Sequence, residues 1–285
     1  MSAVAESLRP YVRSARDVVG RATATQRALP DFLIIGGQRC GTTSLYQSLA
    51  AQPHLFRPVW RKGVHFFDVA YDRGPEWYRS HFALRSSLDR AEARHGRTAL
   101  SFESSPYYLF HPLAGDRIAR TLPDVRLVVL VRDPVERAYS AHAHERARGF
   151  ETLGFADALA AEADRLAGED EHLREDPSYE SHAHRHQAYR TRGEYAPQLE
   201  RLASIVGRDR IKVIDSHRFF AEPEPVYADL LDWLGTGSVV TPAFERHNAR
   251  PRLPLDDALR RRLEAHYEPY DEAMSGWLGG PPSWR

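Results

Sequence analysis

Asp31–Leu45 reads DFLIIGGQRCGTTSL. An apolar β-type run, Phe32–Ile35, feeds a glycine-rich loop, and the loop opens a helix. Glycines let backbone N–H groups approach an anion closely, and the helix N-terminus adds the positive end of its dipole. The stretch is therefore a phosphate cradle at the carboxyl end of a strand. It is not a standard nucleotide-triphosphate loop. Gly36 and Gly41 have the Walker spacing, but Thr42 stands where that pattern requires lysine. The cation inside the loop is Arg39. A phosphate is expected here, but not the β/γ-phosphates of ATP with magnesium.

Outward from this loop, strand and helix signals alternate. Strands are expected at Phe32–Ile35, Thr98–Phe102, Arg126–Val131 (RLVVLV) and Arg210–Asp215 (RIKVID). Helices are expected at Thr43–Ala51, Asp116–Thr121, Pro134–Arg148, Glu194–Val206 and Pro225–Leu234, the last closed by Gly235. A continuous apolar strand such as RLVVLV is covered on both faces. The fold class is α/β, a P-loop-type three-layer α/β/α arrangement around a central parallel sheet. Ligands bind such sheets at the carboxyl ends of the strands. The acidic stretch Glu151–Glu180 breaks the rhythm. It reads as helix plus exposed loop, and residues 150–190 as either an acceptor-side cap over the site or a solvated surface insertion. Residues 31–285 form a single domain, preceded by a helical arm over residues 1–30.

Composition narrows the classes. Acidic and basic residues balance at 39 each, so no global field draws in nucleic acid. Lys62 and Lys212 are the two lysines of the chain, which makes Lys62 conspicuous. A single cysteine, Cys40, excludes an internal disulfide and suits a reducing compartment. No segment approaches the roughly 18 apolar residues of a membrane span, and Arg9, Arg13 and Arg16 interrupt any signal-peptide core. A cytoplasmic protein is expected, with peripheral membrane contact through residues 1–30 as the alternative.

VVLVRDPVERAYS supplies a second anion signal. The central strand ends at Arg132, Asp133-Pro134 turns the chain into a helix, and Ser140 follows on its second turn. A guanidinium at a strand end grips a phosphate through two parallel bonds, and the hydroxyl can share it. The structural alternative is an arginine neutralised by Asp133. Beside a lysine-free phosphate loop, the pair points to a ligand carrying two separate phosphate groups.

These motifs resemble the sulfotransferases that use 3′-phosphoadenosine 5′-phosphosulfate (PAPS), particularly bacterial members of the heparan-sulfate type. Gly36-Gly37-Gln38-Arg39-Cys40-Gly41-Thr42-Thr43, followed by Ser44, is similar to the family's 5′ loop. Arg132 and Ser140 match its 3′-phosphate motif. Lys62-Gly63-Val64-His65-Phe66-Phe67-Asp68 resembles K-E-x-H-F-F-D, and Glu103-Ser104-Ser105-Pro106-Tyr107-Tyr108 resembles E-K-[ST]-P-x-Y. Arg192-Gly193-Glu194-Tyr195 with Gln198 and Leu199 resembles R-G-x-Y-x-x-Q-L. Arg250 and Arg252 lie where a late loop closes on the donor. The resemblance covers residues 31–255. It implies in-line transfer of a sulfuryl group from PAPS to a hydroxyl, or less readily an amine, of a glycan, glycolipid or small metabolite. Arg39 and Lys62 would offset charge on the bridging oxygen, Arg192 and Tyr195 would help on the 3′ side, and no metal would be required.

Three positions depart from the family pattern. Arg39 replaces the commoner lysine. Ser104 replaces a lysine on the acceptor side. Gly63 replaces the glutamate implied as general base, and glycine cannot take a proton. His65 and Glu103 become the candidate bases, with His111 and Asp68 behind them. Glu103 has an alternative role in holding Lys62 and Arg39. Two rival functions remain: a magnesium-dependent kinase on the same fold, and a non-catalytic nucleotide or glycan binder. His182, His184 and His186 alternate and would share a face if extended, without a further ligand to complete a metal site. The acceptor and the oligomeric state are not encoded in any motif.

Overall fold

Every residue of β1, Phe32–Gly36, is buried, as its apolar sequence requires for a strand covered on both faces. The computed structural model describes residues 20–59, 61–245 and 254–285. In it β1 is the central strand of a five-stranded sheet of order β2-β3-β1-β4-β5. The others are β2 Leu55–Phe56, β3 Leu100–Ser104, β4 Arg126–Val131 and β5 Ile211–Asp215. All pairings are parallel. Ile34 registers with Ser104 on one side and Val128 on the other, and the β1–β4 register slips between Ile34 and Gly36, at the entrance to the loop. From β1 the chain runs out to β2 at the edge, returns through β3 beside β1, and then crosses to β4 on the other side. This reversal opens a crevice at the carboxyl ends of β1, β3 and β4.

Helices flank the sheet. Thr42–Ala50 buries Leu45, Tyr46 and Leu49. Tyr195–Val206 packs against Ala114–Thr121 and Asp257–Leu278. Asp133 caps Pro134–Ala147 by accepting from the Val135 and Glu136 N–H groups, with Pro134 in the first turn. Gly235 follows Pro223–Trp233 at φ 69°, the left-handed stop expected of it.

Three differences from the sequence reading have local causes. β3 starts at Leu100 rather than Thr98 and runs on through Glu103 and Ser104. Its polar end is tolerated because the Glu103 carboxylate is fully hydrogen-bonded inside. β2 is two residues long, too short to show periodicity. Residues 150–190 form the helices Phe155–Leu166, Glu169–Glu175 and His182–His186 in place of one helix and an exposed loop. The last of these corrects the extended reading of the three histidines. Of the N-terminal arm, only residues 20–30 are described. Ala24 and Ala28 are buried, and Arg27 donates to the Phe82 carbonyl.

Candidate active site

The loop between β1 and the Thr42–Ala50 helix is held from below. Gly37 N–H donates to Leu130 O at 2.6 Å, and Cys40 N–H donates to Gly37 O. Arg39 and Gly41 adopt left-handed backbone, φ 68° and 91°. The helix has no side-chain cap, so the Thr42 and Thr43 N–H groups of its first turn remain for an anion. Ser44, expected to join the cradle, is 2% exposed, and its N–H already donates to Gly41 O. Cys40 is wholly buried beneath the loop, its Sγ 3.5 Å from the Tyr195 hydroxyl. Burial raises its thiol pKa against that hydrogen bond, so its position at a helix start does not make it a reactive thiolate.

Lys62 completes the mouth of the loop. Its Nζ donates to Thr42 Oγ1 at 3.2 Å and Thr43 Oγ1 at 2.9 Å. Hydroxyl acceptors do not offset the cost of burying an ammonium, and burial lowers its pKa to about 7. Arg39, expected at the bridging oxygen, has its guanidinium turned toward Ser140. Its Nε donates to Ser140 Oγ at 3.1 Å, and Arg132 Nη1 donates to the Arg39 carbonyl at 3.3 Å. Arg39 thus ties the first anion site to the second and leaves Lys62 as the cation against the Thr42 and Thr43 hydroxyls.

Arg192 and Tyr195, expected to help hold the 3′ phosphate, are both buried and bonded to the backbone and side chains around the loop. The Tyr195 hydroxyl donates to the Arg132 carbonyl at 3.1 Å. Arg192 is buried between the Tyr107 and Phe110 rings and donates to Gln38 Oε1 at 2.7 Å and to the His184 and Arg185 carbonyls. Burial lowers its pKa to about 10. Gln38 in turn donates to Glu145, which also meets His186. Arg250 and Arg252 lie outside the described residues.

The Lys62–Phe66 segment runs along the end of β3. Ser104 N–H donates to Lys62 O, Val64 N–H to Glu103 Oε2, and His65 N–H to Ser105 Oγ. Glu103 is the anchor. Besides Val64 N–H, its carboxylate accepts from Ser105 Oγ and from the Tyr78 and Tyr108 hydroxyls. Burial pushes its pKa up while these donors pull it down. Completely buried and saturated, Glu103 cannot reach a substrate oxygen, which removes it as general base. The alternative role of holding Lys62 and Arg39 is met only indirectly, through the backbone of the segment that carries Lys62. Sequence reasoning missed Tyr78 as its partner because nothing in the motif links the two.

Gly63 leaves no room for the family's glutamate. A Cβ there would sit 2.5 Å from the Ser104 carbonyl oxygen and 2.8 Å from Ser105 Oγ. Ser104 itself is buried. His111 is neutral, its pKa lowered by burial to about 3, and its Nδ1 lies 3.2 Å from the Leu113 N–H. His65 remains. Its Nδ1 meets Asp68 Oδ2 at 2.7 Å, and its side chain is 34% exposed while that of Asp68 is buried. Burial opposes the imidazolium, but the Asp68 charge and hydrogen bond outweigh it and raise the His65 pKa above the ordinary value. The carboxylate holds Nδ1 protonated and turns Nε2 into the acceptor. Arg117, unremarked in the sequence, holds the turn by donating to the Phe67, Asp68 and Pro177 carbonyls.

The three alternating histidines do not share one face: the His182 and His186 rings lie 5.1 Å apart, and His184 turns away from them. His184 is buried between Tyr107 and Asp170, His186 contacts Glu145, and His182 lies by the Phe150 carbonyl. No group of three ligating side chains that could hold a metal occurs among the described residues.

The family model of the sulfotransferase domain matches residues 29–243. The chain belongs to the sulfotransferase family. It is 28% identical over 271 residues to heparan sulfate glucosamine 3-O-sulfotransferase 6 of Mus musculus, covering 91% of this chain and 75% of the relative. It is 29% identical over 223 residues to bifunctional heparan sulfate N-deacetylase/N-sulfotransferase 1 of Caenorhabditis briggsae, covering 74% and 23%. A 114-residue match to the membrane-associated sulfotransferase kil1 of Dictyostelium discoideum is 34% identical and covers 40% and 22%. The chain therefore spans about a quarter of the last two relatives. A sulfotransferase structure from Alicyclobacillus acidocaldarius superposes with TM-score 0.64 at 28% identity, covering 90% of this chain and 98% of that one. No helix among the described residues of this sulfotransferase is long and apolar enough to cross a membrane.

Proposed function

We propose that this chain transfers a sulfuryl group from PAPS to a hydroxyl of a glycan or related small acceptor. One observation carries the reading: a Walker-lysine-free phosphate loop is joined, through Arg39 Nε on Ser140 Oγ, to a second cationic site at Arg132. A donor with a 5′ phosphosulfate and a separate 3′ phosphate fits this pair. The Thr42 and Thr43 N–H groups and hydroxyls, with Lys62, suit the 5′ end. Arg132, Ser140 and Arg39 suit the 3′ phosphate.

Bound there, the donor supplies an activated sulfuryl group on a phosphate leaving group. His65 Nε2 takes the proton of the acceptor hydroxyl as that oxygen bonds to sulfur, and the bond from sulfur to the bridging oxygen breaks. Lys62 meets the negative charge left on that oxygen. Asp68 stabilises the imidazolium that His65 becomes. Protein cations fill the role that magnesium has in phosphoryl transfer. A kinase reading lacks the lysine after Gly41. A non-catalytic reading loses its main support, because the His65–Asp68 pair supplies a base where Gly63 cannot.

Calorimetric titration tests the donor. Micromolar binding of 3′-phosphoadenosine 5′-phosphate, abolished by Arg132→Ala, is the expected result and justifies acceptor screening. Preference for ATP with magnesium overturns the reading.

A further inference from the structure

Arg132 has an awkward neighbourhood for a phosphate reader. Asp133 precedes the helix and Glu136 lies one turn along it, so two carboxylates flank the site where a dianion must bind. Asp133 is engaged at the helix start by the Val135 and Glu136 N–H groups. The Glu136 side chain is not part of that cap. Its carboxylate lies 3.9 Å from Arg132 Nη2 at the i,i+4 spacing that favours an ion pair. A closed Glu136–Arg132 ion pair would compete with the phosphate for the guanidinium.

The C-terminal helix Asp257–Leu278 supplies the restraint. Arg260, in its first turn, places Nη2 2.5 Å from Glu136 Oε1, while its Nη1 lies 4.0 Å from Glu264. The contact to Arg260 is much shorter than the contact to Arg132, so Glu136 is drawn away from the anion site. We infer that Arg260 is a positioning residue for the 3′-phosphate site: it neutralises Glu136 and keeps the Arg132 guanidinium poised for a phosphate dianion. This rests on the donor reading above. No motif marks Arg260, which stands among three consecutive arginines on a helix beyond the span of the family resemblance.

The test compares 3′-phosphoadenosine 5′-phosphate with adenosine 5′-phosphate, which lacks the 3′ group, by calorimetry on the full chain. Arg260→Gln should weaken the first ligand about tenfold while leaving the second within about twofold, because a Glu136 carboxylate no longer neutralised by Arg260 acts on the 3′ side. The double variant Arg260→Gln/Glu136→Gln should regain most of the loss. An unchanged preference for the 3′-phosphorylated ligand in Arg260→Gln overturns the proposal. So does an equal loss for both ligands, or a double variant no better than the single one. A wild-type protein with no preference between the two ligands overturns the donor reading itself. Failure of the proposal alone shows instead as a wild-type preference that Arg260→Gln does not alter.

Discussion

Arg39 and His65 are the two non-glycine residues with positive φ among the described residues, at 68° and 56°. Such backbone is costly for side chains with a Cβ and persists where the surroundings enforce it. Both residues fall on the proposed chemistry. His65 must be neutral to accept a proton, and its pKa is raised. The acid limb of the kcat profile should therefore rise through a value above the ordinary 6.5. His65→Asn should lower kcat by about 10²–10⁴-fold with donor affinity intact. Asp68→Asn should move the acid limb downward, since the charge that raises it is gone. A pH–rate series on the three proteins checks this. An Asp68→Asn limb at the wild-type position would remove the pairing from the mechanism. Lys62 gives a second pH signature. Its pKa is lowered to about 7 by burial, and a bound anion must raise it again. The complex then holds more protons than the free protein, so nucleotide affinity should fall as pH rises above about 7, by at most about tenfold per unit. Lys62→Arg should flatten that fall in a calorimetric pH series.

At the scale of the element, the end of β3 does most to assemble the site. Glu103 is a carboxylate accepting from one N–H and three hydroxyls in a buried setting. Glu103→Ala would orphan those donors and should cost about 3 kcal/mol or more, read as a lower urea midpoint at unchanged m-value. Gly63 on the facing segment makes a complementary prediction. Gly63→Glu restores the family residue on paper, but its Cβ would sit 2.5 Å from the backbone oxygen of Ser104. It should lose activity and stability rather than gain a second base, and a gain in kcat would contradict the packing. This element also marks where the sequence stops being legible. β4 was readable residue for residue because a buried central strand is apolar throughout. β3 was misplaced because its last residues are polar and satisfied only by distant partners. The strand, loop and helix around Gly36–Thr43, and the strand end at Arg132 followed by the helix that carries Ser140, were readable from local spacing. The saturation of Glu103, the lack of space at Gly63 and the turn of Arg39 toward Ser140 depend on segments far apart in the chain, and no local pattern encodes them.

Over the whole molecule, the proposed donor site is wired to the 150–190 insertion. Gln38, inside the loop, accepts from Arg192, which donates onward to the His184 and Arg185 carbonyls of the His182–His186 helix. A second strand of contacts runs from Gln38 to Glu145 and on to His186. Arg192 is buried with no carboxylate among these acceptors, so its charge lends positive potential to the loop. Ordering the loop around an anion should therefore order the helix that borders the Tyr107–Phe110 side. Hydrogen exchange reads this directly. Saturating 3′-phosphoadenosine 5′-phosphate should slow exchange at Gln38–Leu45, at Arg132–Ser140 and also at His182–His186, outside the proposed donor site. Global stabilisation accompanies binding, about 2.7 kcal/mol at a hundredfold excess over Kd, so the informative comparison is between regions under conditions of local opening. Gln38→Ala should keep the protection at Leu45 and lose it at His182–His186. Equal protection of the helix in the variant would mean that the insertion follows the global equilibrium and that the Gln38–Arg192 chain carries no coupling.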